Sequence, residues 1–314
     1  MGLLVEGKWV DRWYDTGKSG GRFVRKPTSF HGSVSADGST HFPAESGRYH
    51  LYVGLACPWA HRTLIVRALK GLEKAIPVHV VDALMLEDGW TLSEEGQPPF
   101  LRDVYVKADP AYTGRVTVPV LWDTVTETIV NNESSEIIRM LNHAFDAFAE
   151  APELDFYPQG LRAEIDAVNE RVYPGLNNGA YRAGFAVTQE AYDKAVADVF
   201  DTLDWLERRL AKSRYLVGDE VTEADWRLFT TLVRFDAVYY SHFKCNVRRL
   251  VDYPNLHGYL LDLFQKPGVS ETVSLEQIKL HYFGSHRSIN PTGIVPTGPD
   301  QDLFAPHGRD TTEA

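Results

Sequence analysis

In the run Tyr49-His-Leu-Tyr-Val-Gly-Leu-Ala-Cys57-Pro-Trp-Ala-His-Arg62 a strand-like segment passes directly into a helix-like one, with a cysteine at the junction. Tyr49 to Val53 reads as a strand, rich in aromatic and branched residues. Gly54 permits a sharp turn, and Pro58 suits the first helical position, where its missing N–H is not needed. Leu64, Ile65, Ala68, Leu69 and Leu72 then recur at helical spacing. A cysteine just ahead of a helix lies beside free N–H groups and the positive end of the helix dipole, and both favour thiolate over thiol. His61 and Arg62 are available to add positive charge. Three residues on, where a dithiol redox pair would carry its second cysteine, the chain has Ala60. A thiolate without that neighbour attacks a sulfur but does not readily resolve the mixed disulfide it forms. An external thiol is then needed, and glutathione is the obvious candidate. The competing reading is a buried structural cysteine, the common fate of a lone one; the strand–turn–Cys–Pro–helix setting favours the reactive reading.

The 314 residues suit about two domains. A formal charge of −11 and the lack of a basic stripe argue against a nucleic-acid binder. Cys57 and Cys245 are the two cysteines, too few for a disulfide framework and consistent with a reducing, cytoplasmic setting. Cys245 has no comparable junction around it and reads as structural or incidental. The N-terminus lacks an apolar stretch long enough for a signal peptide, and no run approaches a membrane span. There is no Gly-x-Ser-x-Gly, no phosphate loop, and no histidine or cysteine spacing that predicts a metal.

Residues 1–48 read as an extended arm whose Trp9, Trp13, Tyr14, Phe23 and Phe30 suggest that it packs onto something. The region 49–150 then reads strand, helix, strand (Val78 to Leu84), a long loop at 85–115 without clear period, a strand pair (Thr117 to Trp122 and Thr128 to Val130), and a helix marked by Ile137, Ile138, Leu141 and Phe145. That order suits a thioredoxin-like α/β sandwich, and a cis Val118–Pro119 bond would expose neighbouring backbone groups to a ligand. Residues 151–160 look like a linker. Beyond them the chain is helical to about 285: Tyr192, Val196, Val199, Leu203, Leu206 and Leu210 form one apolar stripe, and Thr222 with Asp225 forms a capping box. Residues 286–314 read as an extended or partly disordered tail.

Two further clusters carry chemistry. Asn131-Asn-Glu133-Ser134 lies where a strand feeds a helix. It is either simple N-capping by Asn or Ser, or a place where the Ser134 hydroxyl and helix-start N–H groups bind a ligand carboxylate while Glu133 pairs with its ammonium. Tyr173, Tyr181, Tyr239, Tyr240 and Tyr282 populate the helical half. They are either core-edge residues or, around the Gly- and Asn-rich stretch Tyr173 to Phe185, a broken segment bordering a cavity that takes an aromatic ring.

Cys57-Pro-Trp-Ala-His-Arg62, Thr117-Val-Pro-Val-Leu-Trp-Asp123, Asn132-Glu-Ser-Ser-Glu-Ile-Ile138 and Asn177-Asn-Gly-Ala-Tyr-Arg-Ala-Gly-Phe185 together closely resemble the glutathionyl-hydroquinone reductases, or Xi-class glutathione transferases. The likeness runs from Gly47 to about Phe283 and includes the 85–115 insertion; Ala180 stands where the pattern often has Val. The resemblance implies a thioredoxin-like domain followed by an all-α domain, with the active site between them. It implies that Cys57 takes the glutathionyl group from a glutathionyl-hydroquinone and that glutathione, the co-substrate, resolves the mixed disulfide. By position, Trp90, Val118, Glu133 and Ser134 would bind glutathione, Val118 through its backbone, and Tyr181, Tyr239 and Tyr282 would contact the hydroquinone. It also implies a homodimer. The alternatives are an omega-like thioltransferase or dehydroascorbate reductase, which shares Cys57 but has no need of the tyrosines, and a non-catalytic transferase-fold binding module.

Overall fold

Strands form where aromatic and β-branched residues cluster, and the longest, β5 (Tyr49–Val53), is buried at four of its five residues. The computed structural model describes residues 2–309, and its internal contacts group the chain into two units. One comprises the residues up to Trp13, Lys26–Asp155 and Thr272–His281; the other comprises Tyr14–Arg25, Phe156–Glu271 and Tyr282 onward.

The first unit opens with a hairpin of β1 (Leu3–Val5) and β2 (Lys8–Val10), followed by the short parallel pair β3 (Val34–Ser35) and β4 (Phe42–Pro43). After β5 come α1 (Pro58–Leu69), β6 (Val78–Val80), α2 (Leu101–Ala108), β7 (Gly114–Arg115), β8 (Val120–Asp123), β9 (Thr128–Asn131) and α3 (Ser134–His143). The central sheet has the order β6-β5-β8-β9, with β5 parallel to β6 and antiparallel to β8. Helices α1 and α3 pack on each other, each burying an apolar stripe: Ile65 and Val66 on α1, Ile137, Ile138 and Leu141 on α3.

Several expectations change here. The second strand ends at Val80 rather than Leu84. Past Val81, whose N–H reaches the Val53 carbonyl, Asp82 N–H bonds to Thr91 O, and the Asp82 carboxylate takes the Thr91 and Ser93 hydroxyls. The chain is thereby drawn into the insertion. That insertion is not featureless: α2 buries Leu101, Val104 and Tyr105, and β7 pairs with β1. Phe145 lies beyond the end of α3, yet is fully buried. Segment Phe30–Gly32 of the arm bonds to β9 and its exit, Gly32 N–H to Val130 O and Asn132 N–H to Phe30 O.

The second unit is helical: α4 (Arg162–Val172), α5 (Gly179–Gly184), α6 (Gln189–Leu210), α7 (Glu223–Arg234) and α8 (Pro254–Phe264). The last helix, α9 (Leu275–Ser285), contributes Tyr282 and the residues after it to this unit. A π-turn at Tyr173–Asn177 interrupts the helix between α4 and α5, which is the break that the Gly- and Asn-rich stretch predicts. On α6 the buried stripe takes in Ala191 and Ala195 where Tyr192 and Val196 were expected; the latter two are half-buried. The capping box forms, and buried Asp225 also accepts from Leu216 N–H and the Tyr259 hydroxyl. The tail is not loose over its described part. Leu303 is buried, and the Arg309 guanidinium donates to the carbonyls of Leu210, Ser213 and Arg214. Residues 310–314 of the expected tail lie outside the described residues.

Candidate active site

Cys57 is the N-cap of α1: its backbone is extended (φ −78°, ψ 122°), its N–H bonds to Gly54 O at 2.9 Å, and its carbonyl accepts the first helical bond from His61 N–H. Pro58 occupies the first helical position, and no acidic residue lies in the first turn. The sulfur of this half-buried residue therefore sits where the helix presents its positive end. Its Sγ is 3.5 Å from the carbonyl oxygen of Val118, the residue that precedes cis Pro119.

Gly54 explains how the wall beside the sulfur is packed. A Cβ there would come within 3.2 Å of Val81, 3.4 Å of Trp90 and 3.5 Å of Val118, so the absent side chain lets these three groups close around the turn. Trp90 is buried and stacks on His281, with ring centroids 4.9 Å apart and planes 14° from parallel. The His281 ring nitrogen Nδ1 is in turn 2.9 Å from Ala83 O.

His61 and Arg62 are both buried. His61 Nε2 lies 2.8 Å from the Thr272 hydroxyl, and Arg62 reaches from α1 to the Ser134 hydroxyl at 3.4 Å. The buried guanidinium thus brings positive charge to the start of α3. At that start the N-cap is Glu133, not Asn or Ser: its carboxylate accepts from Ser135 N–H at 3.2 Å and from the Ser135 hydroxyl at 3.0 Å. Asn131 and Asn132 instead fix the strand-to-helix turn, Asn131 by accepting from Glu133 N–H and Asn132 by bonding Phe30 N–H and the Tyr105 hydroxyl. The arm supplies a further contact, the Thr28 hydroxyl donating to Glu133 at 3.4 Å. Cys57, Trp90, Val118, Glu133 and Ser134 thus all belong to the first unit, tied together by α1, the cis-proline turn and α3. Sequence reading missed the Arg62–Ser134 link and the arm contact; only the position of Arg62 next to the motif hinted at the former.

In the second unit Tyr181, Tyr239 and Tyr282 come from three separate elements and converge. The Tyr181 and Tyr282 hydroxyls are hydrogen-bonded, and the Tyr239 hydroxyl is 3.2 Å from that of Tyr282. All three are buried. Burial first, and the neighbouring phenols next, push Tyr282 well above the ordinary tyrosine range, so it is a neutral hydrogen-bonding group at physiological pH. Phe243 stacks on Tyr239 with planes 1° apart and meets Tyr181 edge-on. Tyr173 and Tyr240 are half-buried. Cys245 is fully buried, and burial pushes its thiol up to about 12. Among the described residues no three His, Cys, Asp or Glu side chains are grouped to hold a metal ion.

The sequence models of the glutathione S-transferase N-terminal and C-terminal domains match residues 56–144 and 189–261. The chain is 55% identical to glutathionyl-hydroquinone reductase YqjG of Escherichia coli over 99% of each chain. It is 57% identical to glutathionyl-hydroquinone reductase PcpF of Sphingobium chlorophenolicum, over 96% of this chain and 98% of that one. The glutathione-bound structure of the Escherichia coli protein superposes with a TM-score of 0.90 over 99% of both chains, at 52% identity. With a thioredoxin-like sheet followed by helices, a cysteine capping the first helix, and this likeness along its whole length, the chain belongs to the glutathionyl-hydroquinone reductases, the Xi class of the glutathione transferases.

Proposed function

We infer that this enzyme reduces glutathionyl-hydroquinones to hydroquinones with glutathione as co-substrate. The observation that carries the reading is Cys57 at the N-terminus of α1 with Ala60, not a second cysteine, three residues on. In the first step the Cys57 thiolate attacks the glutathionyl sulfur. A sulfur–sulfur bond forms, the sulfur–carbon bond breaks, and the electron pair leaves with the ring, which takes up one proton. In the second step a glutathione thiolate attacks the mixed disulfide, releasing oxidised glutathione and restoring the Cys57 thiolate.

Trp90, Val118, Glu133 and Ser134 hold the glutathione moiety. Support comes from the carbonyl of Val118 beside the sulfur and from the N-terminus of α3, where Ser134 and the Arg62 charge suit a carboxylate and Glu133 suits an ammonium. Tyr181, Tyr239 and Tyr282 hold the hydroquinone, supported by their joined hydroxyls in an aromatic setting. The domains run 49–150 and 161–285, flanked by the arm, linker and tail. The enzyme is a cytoplasmic homodimer. Two cysteines outside any disulfide fit a reducing compartment, and among the described residues no helix is long and apolar enough to cross a membrane.

Steady-state rates on a glutathionyl-hydroquinone and on dehydroascorbate test the reading. A clear preference for the glutathionyl-hydroquinone is expected. Faster turnover of dehydroascorbate would favour an omega-like thioltransferase, and turnover of neither a non-catalytic module.

A further inference from the structure

The tyrosine cluster has a cation against it that the reaction as described does not use. Arg25 comes from the segment Tyr14–Arg25, which belongs to the second unit although it precedes the whole thioredoxin-like region in sequence. The segment is anchored there. Val187 N–H bonds to Gly21 O at 3.0 Å, and the Thr188 hydroxyl donates to Gly20 O at 3.3 Å. Gly21 has a φ of +82°, and a Cβ on it would run into Thr188, so only glycine lets the chain lie this close. Phe23 is buried and packs on Phe185 with ring centroids 5.2 Å apart.

So held, the half-buried Arg25 places its guanidinium carbon 5.3 Å from the centroid of the Tyr181 ring. Its Nε donates to the Asn178 carboxamide oxygen at 3.2 Å, and Asn178 is the N-cap of α5, the helix that carries Tyr181. One side chain therefore both holds the start of that helix and sets a positive charge against the π face of the phenol.

We propose that Arg25 is a positioning residue for the hydroquinone half of the reaction, orienting Tyr181 and stabilising the negative charge its oxygen gains while donating to the departing ring. A cation within about 6 Å of an aromatic face interacts favourably with it, and the interaction grows as the ring becomes electron-rich. The effect is confined to aromatic substrates, because it acts through the Tyr181 hydroxyl and the ring to which that hydroxyl donates. The proposal rests on the assignment of Tyr181 to the hydroquinone.

The test compares Arg25→Gln and Arg25→Lys with wild type on a glutathionyl-hydroquinone and on the mixed disulfide of glutathione with 2-hydroxyethanethiol. With the first substrate, Arg25→Gln should lower kcat about ten-fold and Arg25→Lys no more than about three-fold, since lysine keeps the charge but not the bond to Asn178. With the second, both variants should stay within about two-fold of wild type. Equal impairment of Gln and Lys variants would overturn the charge role, as would equal losses on both substrates or no loss at all. A substrate-independent readout accompanies the rates: the tyrosine 13Cζ NMR resonance of Tyr181, assigned with Tyr181→Phe. It should move in Arg25→Gln and stay close to wild type in Arg25→Lys; an unmoved resonance in Arg25→Gln overturns the proposal. Should wild type fail to turn over the glutathionyl-hydroquinone while that resonance still answers to Arg25, the substrate assignment fails and the Arg25–Tyr181 coupling stands.

Discussion

Half-buried Cys57 caps α1 with its sulfur beside a backbone carbonyl, whereas Cys245 is sealed from water and its thiol is pushed up to about 12. Cys57→Ser should therefore abolish reductase activity while leaving the fold intact, because serine is itself a good N-cap. Cys245→Ser should keep nearly full activity, and a thiol-alkylating reagent on the native protein should modify Cys57 alone. Assays and intact-mass measurement of the two variants check both outcomes. For the tyrosines, each Tyr→Phe change at 181, 239 or 282 keeps the ring and removes one hydroxyl. The lost hydrogen bond should cost about 0.5–1.5 kcal/mol, up to about 3 where it stabilises charge, or a few-fold to roughly a hundred-fold in rate. The loss should appear with glutathionyl-hydroquinone and hardly at all with a small non-aromatic mixed disulfide; equal losses on both would remove the tyrosines from the substrate site. The position of Cys57 at the start of α1 was legible because a helix N-cap is a local property, written in the residues around it. Nothing local says that Tyr181, Tyr239 and Tyr282, separated by 58 and 43 positions, share one hydroxyl chain. The direction of the Arg62 side chain was not legible for the same reason: its bond to Ser134 joins α1 to α3 across 72 positions.

At the scale of elements, the break between α4 and α5 lets helix α5 crowd against Phe243. A Cβ on Gly184, the last residue of α5, would overlap Cδ1 and Cγ of that ring, which is fully buried against Tyr181, Tyr239 and Tyr282. Gly184→Ala should therefore cost about 1–3 kcal/mol of stability and displace the tyrosines through Phe243. A thermal melt, with rates on the aromatic substrate, would register both effects. The end of β8 carries a second structural charge. Burial raises the Asp123 carboxyl, but Arg48, bonded at 2.8 and 2.7 Å, and the groups of Thr126 and Val125 outweigh it and hold it below its ordinary range. A carboxyl lowered on folding stabilises the native state above its unfolded value of about 3.9, and that stability is lost as pH falls through the folded value. Asp123→Asn should thus lose about 2–3 kcal/mol at neutral pH and show a flatter acid limb in pH-dependent denaturation. Strong periodicity made α6, α7 and α8 readable, and short apolar runs on either side of a turn made β8 and β9 readable. Helix α2 went unread because it is only 8 residues long and sits among Gly, Pro and charged residues, although Leu101, Val104 and Tyr105 keep the helical spacing. The shortened β6 depended on Asp82 finding Thr91 and Ser93, which is a tertiary choice.

Across the whole molecule, the C-terminal tail is the part that composition described least well. The N-terminal arm packs, as its aromatic residues suggest, with β1 completing a small sheet with β7, but the tail, which reads as extended or partly disordered, closes its Arg309 guanidinium on the carbonyl that ends α6 and on that of Ser213. Backbone carbonyls at a helix end attract a guanidinium whatever the surrounding sequence, so such docking leaves no pattern in the tail itself. The two-unit order, in contrast, follows from the change of hydrophobic period along the chain, from strand-like to helical near residue 160. The central claim, that Cys57 carries the glutathionyl group between substrate and glutathione, is tested most directly by a single turnover without free glutathione. Reduced enzyme mixed with a slight excess of glutathionyl-hydroquinone should release one equivalent of hydroquinone and gain one glutathionyl group, located on Cys57 by peptide mass. Hydroquinone release that requires free glutathione from the outset, with no adduct on Cys57, would contradict it.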